Sequence, residues 1–319
     1  MNSLWVTNRS SGFALISVLW LIVLLTVIAG GLSYASRQST QSMASLMGGT
    51  KAHYLADGAA QLVMMNLLSR TPEDRLLADG ETIDVTLPGG HVFVTVTDEN
   101  GKIDINAAKE TLLARLFYSL DVEQEQADAL ADAIVDYRDK DDLQRLNGAE
   151  EEDYRAAGLS WGPKNSAFTS VDELQRVYGM QPAIYQAMKP YITIYSRSQG
   201  INPEVASFQV LLAISDDSDL TLESYINQRR ENHEQGLQPP APPAIARELK
   251  SRTRGVTYRL KAIGVTESGQ QSGLSTTIRL RRGRNRLSIE TVEWQPYVNN
   301  AADREASSDI LLGEEQNGT

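Results

Sequence analysis

The stretch that decides the fold is Phe13-Ala-Leu-Ile-Ser-Val-Leu-Trp-Leu-Ile-Val-Leu-Leu-Thr-Val-Ile-Ala-Gly-Gly-Leu32, which contains no charged residue. The nearest charges on either side are Arg9 and Arg37. An α-helix needs about 20 apolar residues to cross a hydrocarbon core about 30 Å thick. We therefore predict that residues 13–34 form a transmembrane helix. Because Arg9 precedes the span, the N-terminus is expected to stay in the cytoplasm.

Three kinds of N-terminal segment compete for this sequence. A secretory signal peptide has an apolar core of roughly 7–15 residues, followed by a cleavage site with small residues. Here the apolar run is longer, and Ala29-Gly30-Gly31 and Ser33-Tyr34-Ala35 match such a site only passably. A plain signal anchor is the second interpretation. A cleaved prepilin leader is the third.

The short polar leader favours the third interpretation. It ends in Ser10-Ser11-Gly12, and Phe13 opens the apolar run directly after it. This arrangement resembles type IV prepilins and the pseudopilins of type II secretion. In those families a prepilin peptidase cuts after the glycine and methylates the new N-terminus. The resemblance implies cleavage between Gly12 and Phe13, removal of residues 1–12 as the leader, and N-methylation of Phe13.

Residues 35–70 are predicted to continue the membrane helix as an amphipathic helix. Apolar side chains at spacings of three and four residues fall on one face of it. They are Ala52, Leu55, Ala59 and Leu62. Gly48-Gly49 is expected to bend or loosen this helix, because glycine is a poor helix former. Thr71-Pro72 is expected to end it.

The remaining chain divides into strands, an insertion and a tail. Residues 71–106 are predicted to begin an antiparallel sheet, since apolar and polar residues alternate around the turn Pro88-Gly89-Gly90. Residues 107–245 leave this pattern and are predicted to form a helical insertion domain. Its helices are expected at residues 107–120, 123–138, 170–178 and 181–188. Strands return within residues 246–296, and residues 297–319 are predicted to be a disordered acidic tail.

An internal repeat is visible within the insertion. Ile103-Asp-Ile-Asn-Ala-Ala-Lys-Glu-Thr-Leu-Leu113 resembles Ile201-Asn-Pro-Glu-Val-Ala-Ser-Phe-Gln-Val-Leu-Leu212 in its Ile/Asn start and its later pair of leucines. Each copy is followed by a second predicted helix, which ends at Tyr137-Arg138 or at Arg229-Arg230. The insertion is therefore expected to contain two related helical units.

Longer motifs extend the resemblance from residue 9 to about residue 295. They are Asn100-Gly-Lys-Ile-Asp-Ile-Asn106, Asp136-Tyr-Arg-Asp-Lys-Asp-Asp142, Asn147-Gly-Ala-Glu-Glu-Glu-Asp-Tyr154 and Ser170-Val-Asp-Glu-Leu174. With these motifs the chain is similar to the K-class minor pseudopilins of type II secretion systems. The resemblance implies an α+β, pilin-like fold. In that fold a long N-terminal transmembrane helix packs on an antiparallel sheet, which carries a large all-α insertion domain.

The resemblance also implies a function and a location. K-class subunits form the tip of the pseudopilus, where they initiate or cap fibre assembly and support export of folded proteins from the periplasm across the outer membrane. The expected partners are other minor pseudopilins, the major pseudopilin and the prepilin peptidase, with secreted substrates as further candidates. The expected location is the bacterial inner membrane, crossed once, with the C-terminal domain in the periplasm.

Ser17 is the fifth residue after the predicted cleavage site. Most pilin-like subunits carry a glutamate there, which pairs with the free N-terminal amine of the subunit above. A carboxylate inside a bilayer costs about 2.5–3.5 kcal/mol, so it is useful only where such a partner exists. Ser17 therefore suggests a subunit at the fibre tip, and K-class subunits are similar in lacking the acid. The alternative is a small polar residue tolerated in a signal anchor.

An acidic segment in the insertion supplies candidate metal ligands. They are Asp136, Asp139, Asp141, Asp142, Glu150, Glu151 and Asp153. Carboxylate oxygens suit Ca²⁺, which takes six to eight oxygen ligands, and the absence of nearby histidine and cysteine argues against zinc and copper. A run of charges is more often a solvated face. The resemblance to the K class, whose insertion domain binds calcium, favours Ca²⁺ as a cofactor.

Composition argues against two other classes of function. The net charge is −11, with 41 acidic and 30 basic residues, whereas a nucleic-acid-binding protein needs a basic surface. The paired short helices nevertheless leave open a membrane-tethered helix-hairpin-helix module that binds nucleic acid. The three histidines are scattered and there is no cysteine, so no catalytic constellation is visible and the chain is not expected to be an enzyme.

Overall fold

The structure is a computed structural model that describes residues 11–69, 75–251, 255–282 and 287–297. Residues 1–10 of the predicted leader and residues 298–319 of the predicted tail lie outside these ranges. The helices are α1 (Ser11–Leu67), α2 (Glu110–Ser119), α3 (Gln124–Arg138), α4 (Glu151–Ala156), α5 (Pro182–Met188), α6 (Phe208–Ile214) and α7 (Asp219–Glu234). The strands are β1 (Asp79–Leu87), β2 (Gly90–Asp98), β3 (Ile103–Asp104), β4 (Ile192–Thr193), β5 (Thr257–Thr266), β6 (Gln271–Arg282) and β7 (Leu287–Tyr297).

Helix α1 runs without interruption for 57 residues, which corresponds to a length of about 85 Å. Its first part is long and apolar enough to cross a membrane, and its large side chains are exposed, as Trp20 is at 69%. The chain stays helical through Gly48 and Gly49, where the sequence predicted a bend or a loosening. Gly48 instead permits a close approach, because a Cβ there would meet the Gln270 side chain at 2.7 Å.

The second half of α1 packs a face of small apolar residues on the sheet. The buried residues are Ala52, Leu55, Ala56, Ala59, Ala60, Val63 and Leu67. The placement of Leu62 on this face was wrong, since its side chain is 50% exposed. The buried stripe advances by four residues from Ala59 to Val63, and at 100° per residue Leu62 turns away from it. At Gly264 of β5 a Cβ would collide with the Ala52 carbonyl oxygen, so helix and sheet lie very close.

The main sheet has the strand order β1-β2-β5-β6-β7. All neighbouring strands are antiparallel. The predicted hairpin and the three returning strands are present, and β2 pairs directly with β5 although the whole insertion separates them in the chain. The predicted α+β class, with a long apolar helix packed on an antiparallel sheet and an inserted helical region, is confirmed.

The insertion has a hydrophobic core of its own, separate from the core between α1 and the sheet. Helices α2, α3 and α5 agree with three of the predicted segments. The fourth segment, predicted at residues 170–178, is a 3-10 helix over Val171–Arg176 in which Ser170 Oγ accepts a hydrogen bond from Asp172 N. The parallel pair of β3 and β4 was not predicted, because its strands are too short to show alternation.

The first helical unit is held together at its open end by an arginine. Arg138, the last residue of α3, donates hydrogen bonds to the carbonyl oxygens of Ile105 and Ala108, which lie just before α2. In the same turn Asp104 Oδ1 accepts a hydrogen bond of 2.8 Å from Asn106 N. The arginine therefore joins the end of the second helix to the entrance of the first.

The second unit repeats this arrangement. Arg229 of α7 donates to the carbonyl oxygens of Pro203 and Ala206, at 2.9 and 2.8 Å, just before α6. Asn202 Oδ1 accepts from Glu204 N at 3.1 Å, as Asp104 does in the first unit. In both units the two carbonyl acceptors are three residues apart, and the donor is an arginine at the equivalent place in the second helix. These equivalences support the internal repeat that the sequence predicted.

The second unit is also tied to the sheet through Asp79, the first residue of β1. Arg229 Nη2 lies 3.0 Å and Arg230 Nε lies 2.8 Å from Asp79 Oδ2. Both Arg229 and Asp79 have side chains that are only 2% exposed. Although burial raises the pKa of Asp79, the bond from Arg230 and the charge of Arg229 lower it below its ordinary value. The carboxylate is therefore ionised and paired inside the junction.

A second buried ion cluster links the sheet to the start of the insertion. The Glu99 side chain is fully buried, and its Oε1 lies 2.9 Å from Lys102 Nζ and 3.5 Å from Arg259 Nε. Burial raises the pKa of Glu99, but the charges of Lys102 and Arg259 outweigh it, so the pKa is lowered. Two independent ionic contacts thus fix the insertion against the sheet.

Asp98 lies beside this cluster and leads to a pH prediction. Its carboxylate is buried and accepts a hydrogen bond of 2.9 Å from Asn100 N. Burial is the main cause that raises the pKa of Asp98 to about 7, and the charge of Glu99 adds to it. The unfolded chain has the lower pKa, about 3.9. We therefore expect the free energy of unfolding to fall by up to about 1.4 kcal/mol per pH unit as the pH rises from about 4 to 7.

Chemical denaturation of the parent chain and of Asp98→Asn across this pH range would measure the effect. Asparagine keeps an acceptor for Asn100 N but cannot ionise. As the pH rises, the parent should lose stability relative to Asp98→Asn, because only the parent has to ionise a buried carboxyl group. Parallel curves for the two proteins would contradict the raised pKa.

Candidate functional site

The acidic segment lies where α3 ends and α4 begins. Asp136 is in the last turn of α3 and is fully buried. Asp139 directly follows this helix, and Glu150 directly precedes α4 with only 8% of its surface exposed. The end of α3 and the start of α4 therefore bring these three carboxylates into one region. The loop between the two helices covers this region.

Asp136 is held by the loop. Its Oδ2 accepts a hydrogen bond of 3.2 Å from Arg145 N, and its Oδ1 lies 3.5 Å from Arg145 Nε. A Cβ at Gly148 would collide with Asp136 Oδ2, so only glycine lets the loop pass this carboxylate. The glycine in the motif around residue 148 is thus explained by the close passage of the backbone.

Glu150 and Asp139 are less well satisfied. Both carboxylate oxygens of Glu150 and Oδ1 of Asp139 are buried and find no hydrogen-bond donor among the described residues. A buried, unpaired carboxylate costs free energy because it has lost its water. Burial is the main cause that raises the pKa of Glu150 to about 7, and the nearby charges of Asp136 and Asp139 add to it.

The other carboxyl groups show the same repulsion. Burial raises the pKa of Asp136 to about 6 in spite of the hydrogen bond from Arg145, and the charge of Asp139 contributes. The pKa of Asp139 is raised by burial and by the charge of Asp141. A cation placed among these groups would relieve this repulsion. The donor set consists of hard oxygens and therefore suits calcium.

The remaining predicted ligands are placed differently. Asp141 and Asp142 are exposed, and they accept hydrogen bonds from Leu143 N and Asn165 Nδ2. Glu151 is exposed and pairs with Arg155. Asp153 accepts a hydrogen bond of 2.9 Å from Glu150 N. Within the described ranges, no group of three or more acidic or histidine side chains is arranged to hold a metal ion as it stands.

One supporting residue was missed by the sequence reasoning. Asp132 Oδ2 accepts a hydrogen bond of 3.1 Å from Asn147 N, which ties the far side of the loop to α3. A signal was available, because Asp132 precedes Asp136 by four residues on a predicted helix and so shares its face. Arg145, which pairs at 3.8 Å with Glu110 of α2, gave no such signal.

The residues of the predicted processing site lie at the start of α1. The helix begins at Ser11, so the peptide bond between Gly12 and Phe13 falls in its first turn. Ser17 lies one to two turns further on, in the exposed apolar part of α1. No carboxylate or other charged group is present between Phe13 and Leu32.

Comparison with known proteins identifies similar chains. The family model "Type II secretion system (T2SS), protein K" matches residues 93–197. Type II secretion system protein K of Klebsiella pneumoniae is 28% identical over 241 residues, which cover 67% of this chain and 73% of the relative. The protein K of Pseudomonas aeruginosa is 25% identical and covers 69% of this chain and 72% of its own length.

A solved structure has a similar fold. It is a chain of the GspK-GspI-GspJ complex from the type 2 secretion system of enterotoxigenic Escherichia coli. The similarity has a TM-score of 0.53 and covers 82% of this chain and 99% of that chain. The two sequences are 19% identical.

Proposed function

The chain belongs to the K-class minor pseudopilins of type II secretion, and from this premise we propose that it forms the tip of a pseudopilus. In that position it initiates or caps the fibre and supports export of folded proteins from the periplasm across the outer membrane. It acts by assembly and carries out no catalysis. The observation that carries the proposal is the helical insertion between β2 and β5.

The position of the insertion in the sheet supports an end location. A subunit inside a helical fibre has neighbours on several sides of its sheet and of its N-terminal helix. The insertion is fixed to the sheet by two ion pairs with buried carboxylates, Arg229 with Asp79 and Arg259 with Glu99, so it does not swing aside easily. A rigid body of this size is accommodated best where no further subunit stacks above it.

Ser17 is the second support. A subunit at the tip has no N-terminal amine above it, so a glutamate at this position would bring the cost of a buried carboxylate without a partner. The free amine of Phe13 remains available to the glutamate of the next subunit below. The chain is therefore suited to pair its N-terminal amine with the glutamate of the subunit below, and it has no glutamate that would need an amine above it.

We propose the other minor pseudopilins as direct partners, with the major pseudopilin below them. The related chain of known structure was solved as a GspK-GspI-GspJ complex. Beyond the lipid-spanning part, α1 leaves an apolar stripe exposed that suits contact with neighbouring helices. It consists of Met43, Leu46, Met47, Tyr54, Leu62 and Met65. The proposed location is the inner membrane, with the sheet and the insertion in the periplasm.

We also propose that the insertion binds Ca²⁺. Asp136, Asp139 and Glu150 would provide the buried oxygens, and Asp141, Asp142, Glu151 and Asp153 are available at the edge of the same loop. The bound ion would supply the positive charge that the buried carboxylates lack, and it would hold the loop between α3 and α4 to both helices.

The nucleic-acid alternative gains no support from the helix connections. Between α2 and α3 the chain carries Asp121, and between α6 and α7 it carries Asp216 and Asp217. Phosphate binding at a helical hairpin needs backbone amides presented by a glycine-containing loop, and carboxylates in that position repel phosphate. Binding of duplex DNA at low salt in a gel-shift assay would revive this alternative.

Processing of the leader gives one test. Co-expression with a prepilin peptidase should shorten the chain by the 12 residues that precede Phe13 and add a methyl group to the new N-terminus. Gly12→Ala should slow or block this cleavage, because it adds bulk next to the scissile bond. Intact-mass measurement distinguishes the outcomes. A mass that matches cleavage near residue 35, or the full chain, would contradict the prepilin leader.

The tip position itself gives the decisive test. Deletion of the chain should impair fibre initiation and export of folded proteins. Ser17→Glu should not improve fibre assembly and should hinder it, because the new carboxylate has no amine above it. Ser17→Ala is the matched control and should assemble normally. Immunogold or fluorescence labelling of fibres should mark one end. Labels at regular intervals along the shaft would rule out the proposal.

A further inference from the structure

The loop between α3 and α4 exposes two leucines to an unusual degree. In this presenting loop, residues 139–149, the side chain of Leu146 is 95% exposed and that of Leu143 is 77% exposed. Leu15, in the predicted lipid-spanning part of α1, is only 76% exposed. Single exposed apolar residues are ordinary in soluble domains, but two such leucines three residues apart in one loop are not.

The loop that carries the two leucines is held in place by hydrogen bonds. Gln144 Nε2 donates a hydrogen bond of 2.9 Å to the carbonyl oxygen of Gly148. Arg145 N donates to Asp136 Oδ2 at 3.2 Å, and Asn147 N donates to a second carboxylate of α3 at 3.1 Å. The loop backbone is therefore held to α3 on both sides of Leu146, while the side chains of Leu143 and Leu146 are exposed to solvent.

The two exposed leucines contribute little to the stability of the isolated chain. Leu143 and Leu146 remove almost no apolar surface from water where they stand, and burial is what makes a leucine favourable. Apolar side chains that are held exposed by a hydrogen-bonded loop are suited to burial in a partner. Because the loop is already ordered, binding loses little conformational freedom.

The charges around the leucines limit the kind of partner. Asp141 and Asp142 are exposed immediately before Leu143. Glu151 and Glu152 are exposed at the start of α4, the other end of the loop. Lys140 is the only exposed cation in residues 139–149, because Arg145 is half-buried and pairs with Glu110 and Asp136. The surface around the leucines is thus acidic.

From these observations we propose that the presenting loop is a docking surface for another protein, which receives Leu143 and Leu146 in an apolar pocket with a basic rim. A second copy of this chain would bring a like-charged surface, which is repulsive. An anionic membrane surface is disfavoured for the same reason. The inference goes beyond the tip position and does not depend on it, because the loop would be accessible in an isolated subunit as well.

Photo-crosslinking in the native cell tests the proposal on the full chain. A benzophenone amino acid at position 146 should crosslink one protein partner, which mass spectrometry identifies. The same probe at Leu220, which is 78% exposed in the first turn of α7, is the matched control and should not trap that partner. The purified partner is then used for binding measurements.

Binding of the purified partner should weaken at least tenfold for the double variant Leu143→Ser and Leu146→Ser, with an unchanged melting temperature of the chain. Leu220→Ser should bind as the parent does. Charge reversal with Glu152→Lys, an exposed residue outside the proposed calcium ligands, should weaken binding, and a matching reversal in the basic rim of the partner should restore it. Salt should slow association of the parent more than that of the reversed variant.

Several outcomes would overturn the proposal. They are equal crosslinking from positions 146 and 220, crosslinking only to lipid or to a second copy of the chain, no crosslink at all, and affinity unchanged by the leucine variants. Loss of fibre assembly without any change in this binding would concern the tip position alone. The two proposals therefore fail separately.

Discussion

Replacement of Arg229 by alanine is expected to lower the free energy of unfolding by about 3–5 kcal/mol, the cost of breaking a buried ion pair from one side. Arg229 is 2% exposed and donates both to Asp79 and to the two carbonyl oxygens in front of α6. Without it, Arg230 alone remains to neutralise the buried carboxylate. The loss should appear as a lower denaturant midpoint in equilibrium unfolding of the full chain in detergent.

Three variants make this test specific. Arg230→Ala removes a partner that is one-third exposed, so its loss should be smaller. Arg138→Ala removes the same helix closure in the first unit, but it leaves the contact with the sheet intact. The double variant Arg229→Ala with Asp79→Ala should cost less than the sum of the single changes, because no buried charge is then left unpaired. Strict additivity would show that the pair is not coupled.

Calcium is expected to raise the free energy of unfolding by about 2.7 kcal/mol at one hundred times its dissociation constant, because a ligand that binds only the folded chain shifts the unfolding equilibrium. The effect should be seen as a higher melting temperature in millimolar calcium than in EDTA. Glu150→Gln and Asp139→Asn should reduce the gain. Asp216→Asn, which changes an exposed carboxylate near α7, should leave the gain unchanged.

The change in stability that Glu150→Gln causes in EDTA shows whether Glu150 is a calcium ligand or an ordinary structural residue. Without calcium, Glu150→Gln should be neutral or stabilising, because it removes a buried charge that is repelled by Asp136 and Asp139. With calcium the same variant should be the less stable protein. Equal melting temperatures of the parent in EDTA and in calcium would show that the acidic segment is an ordinary solvated surface and not a calcium site.

The features that were predicted correctly from the sequence are those that rest on local pattern. The apolar run before Arg37 identifies the long helix, and the alternation around Pro88-Gly89-Gly90 identifies the first hairpin. The assignment of Leu62 failed because a three-residue step and a four-residue step from Ala59 are equally helical in pattern. Only contact with the sheet selects Val63 instead.

The junction between the insertion and the sheet was beyond prediction because it is non-local. Asp79 and Arg229 are far apart in sequence, and neither lies in a motif that names its partner. Motif resemblance located the acidic segment, but spacing did not reveal that Glu150 is buried while Asp141 and Asp142 face solvent. Burial in this region depends on how the ends of α3 and α4 meet. The outward turn of Leu143 and Leu146 has the same origin.

The pairing of β2 with β5 sets an order for folding. The sheet cannot close until the chain through Thr266 has been synthesised, since β5 lies between β2 and β6. Contacts of such long sequence separation form slowly, whereas the hydrophobic core of the insertion is built from residues of the insertion alone. The insertion should therefore fold first and bring the two strands together. Until then the backbone of β2 has an unpaired edge. The nascent chain is most prone to aggregation during this period.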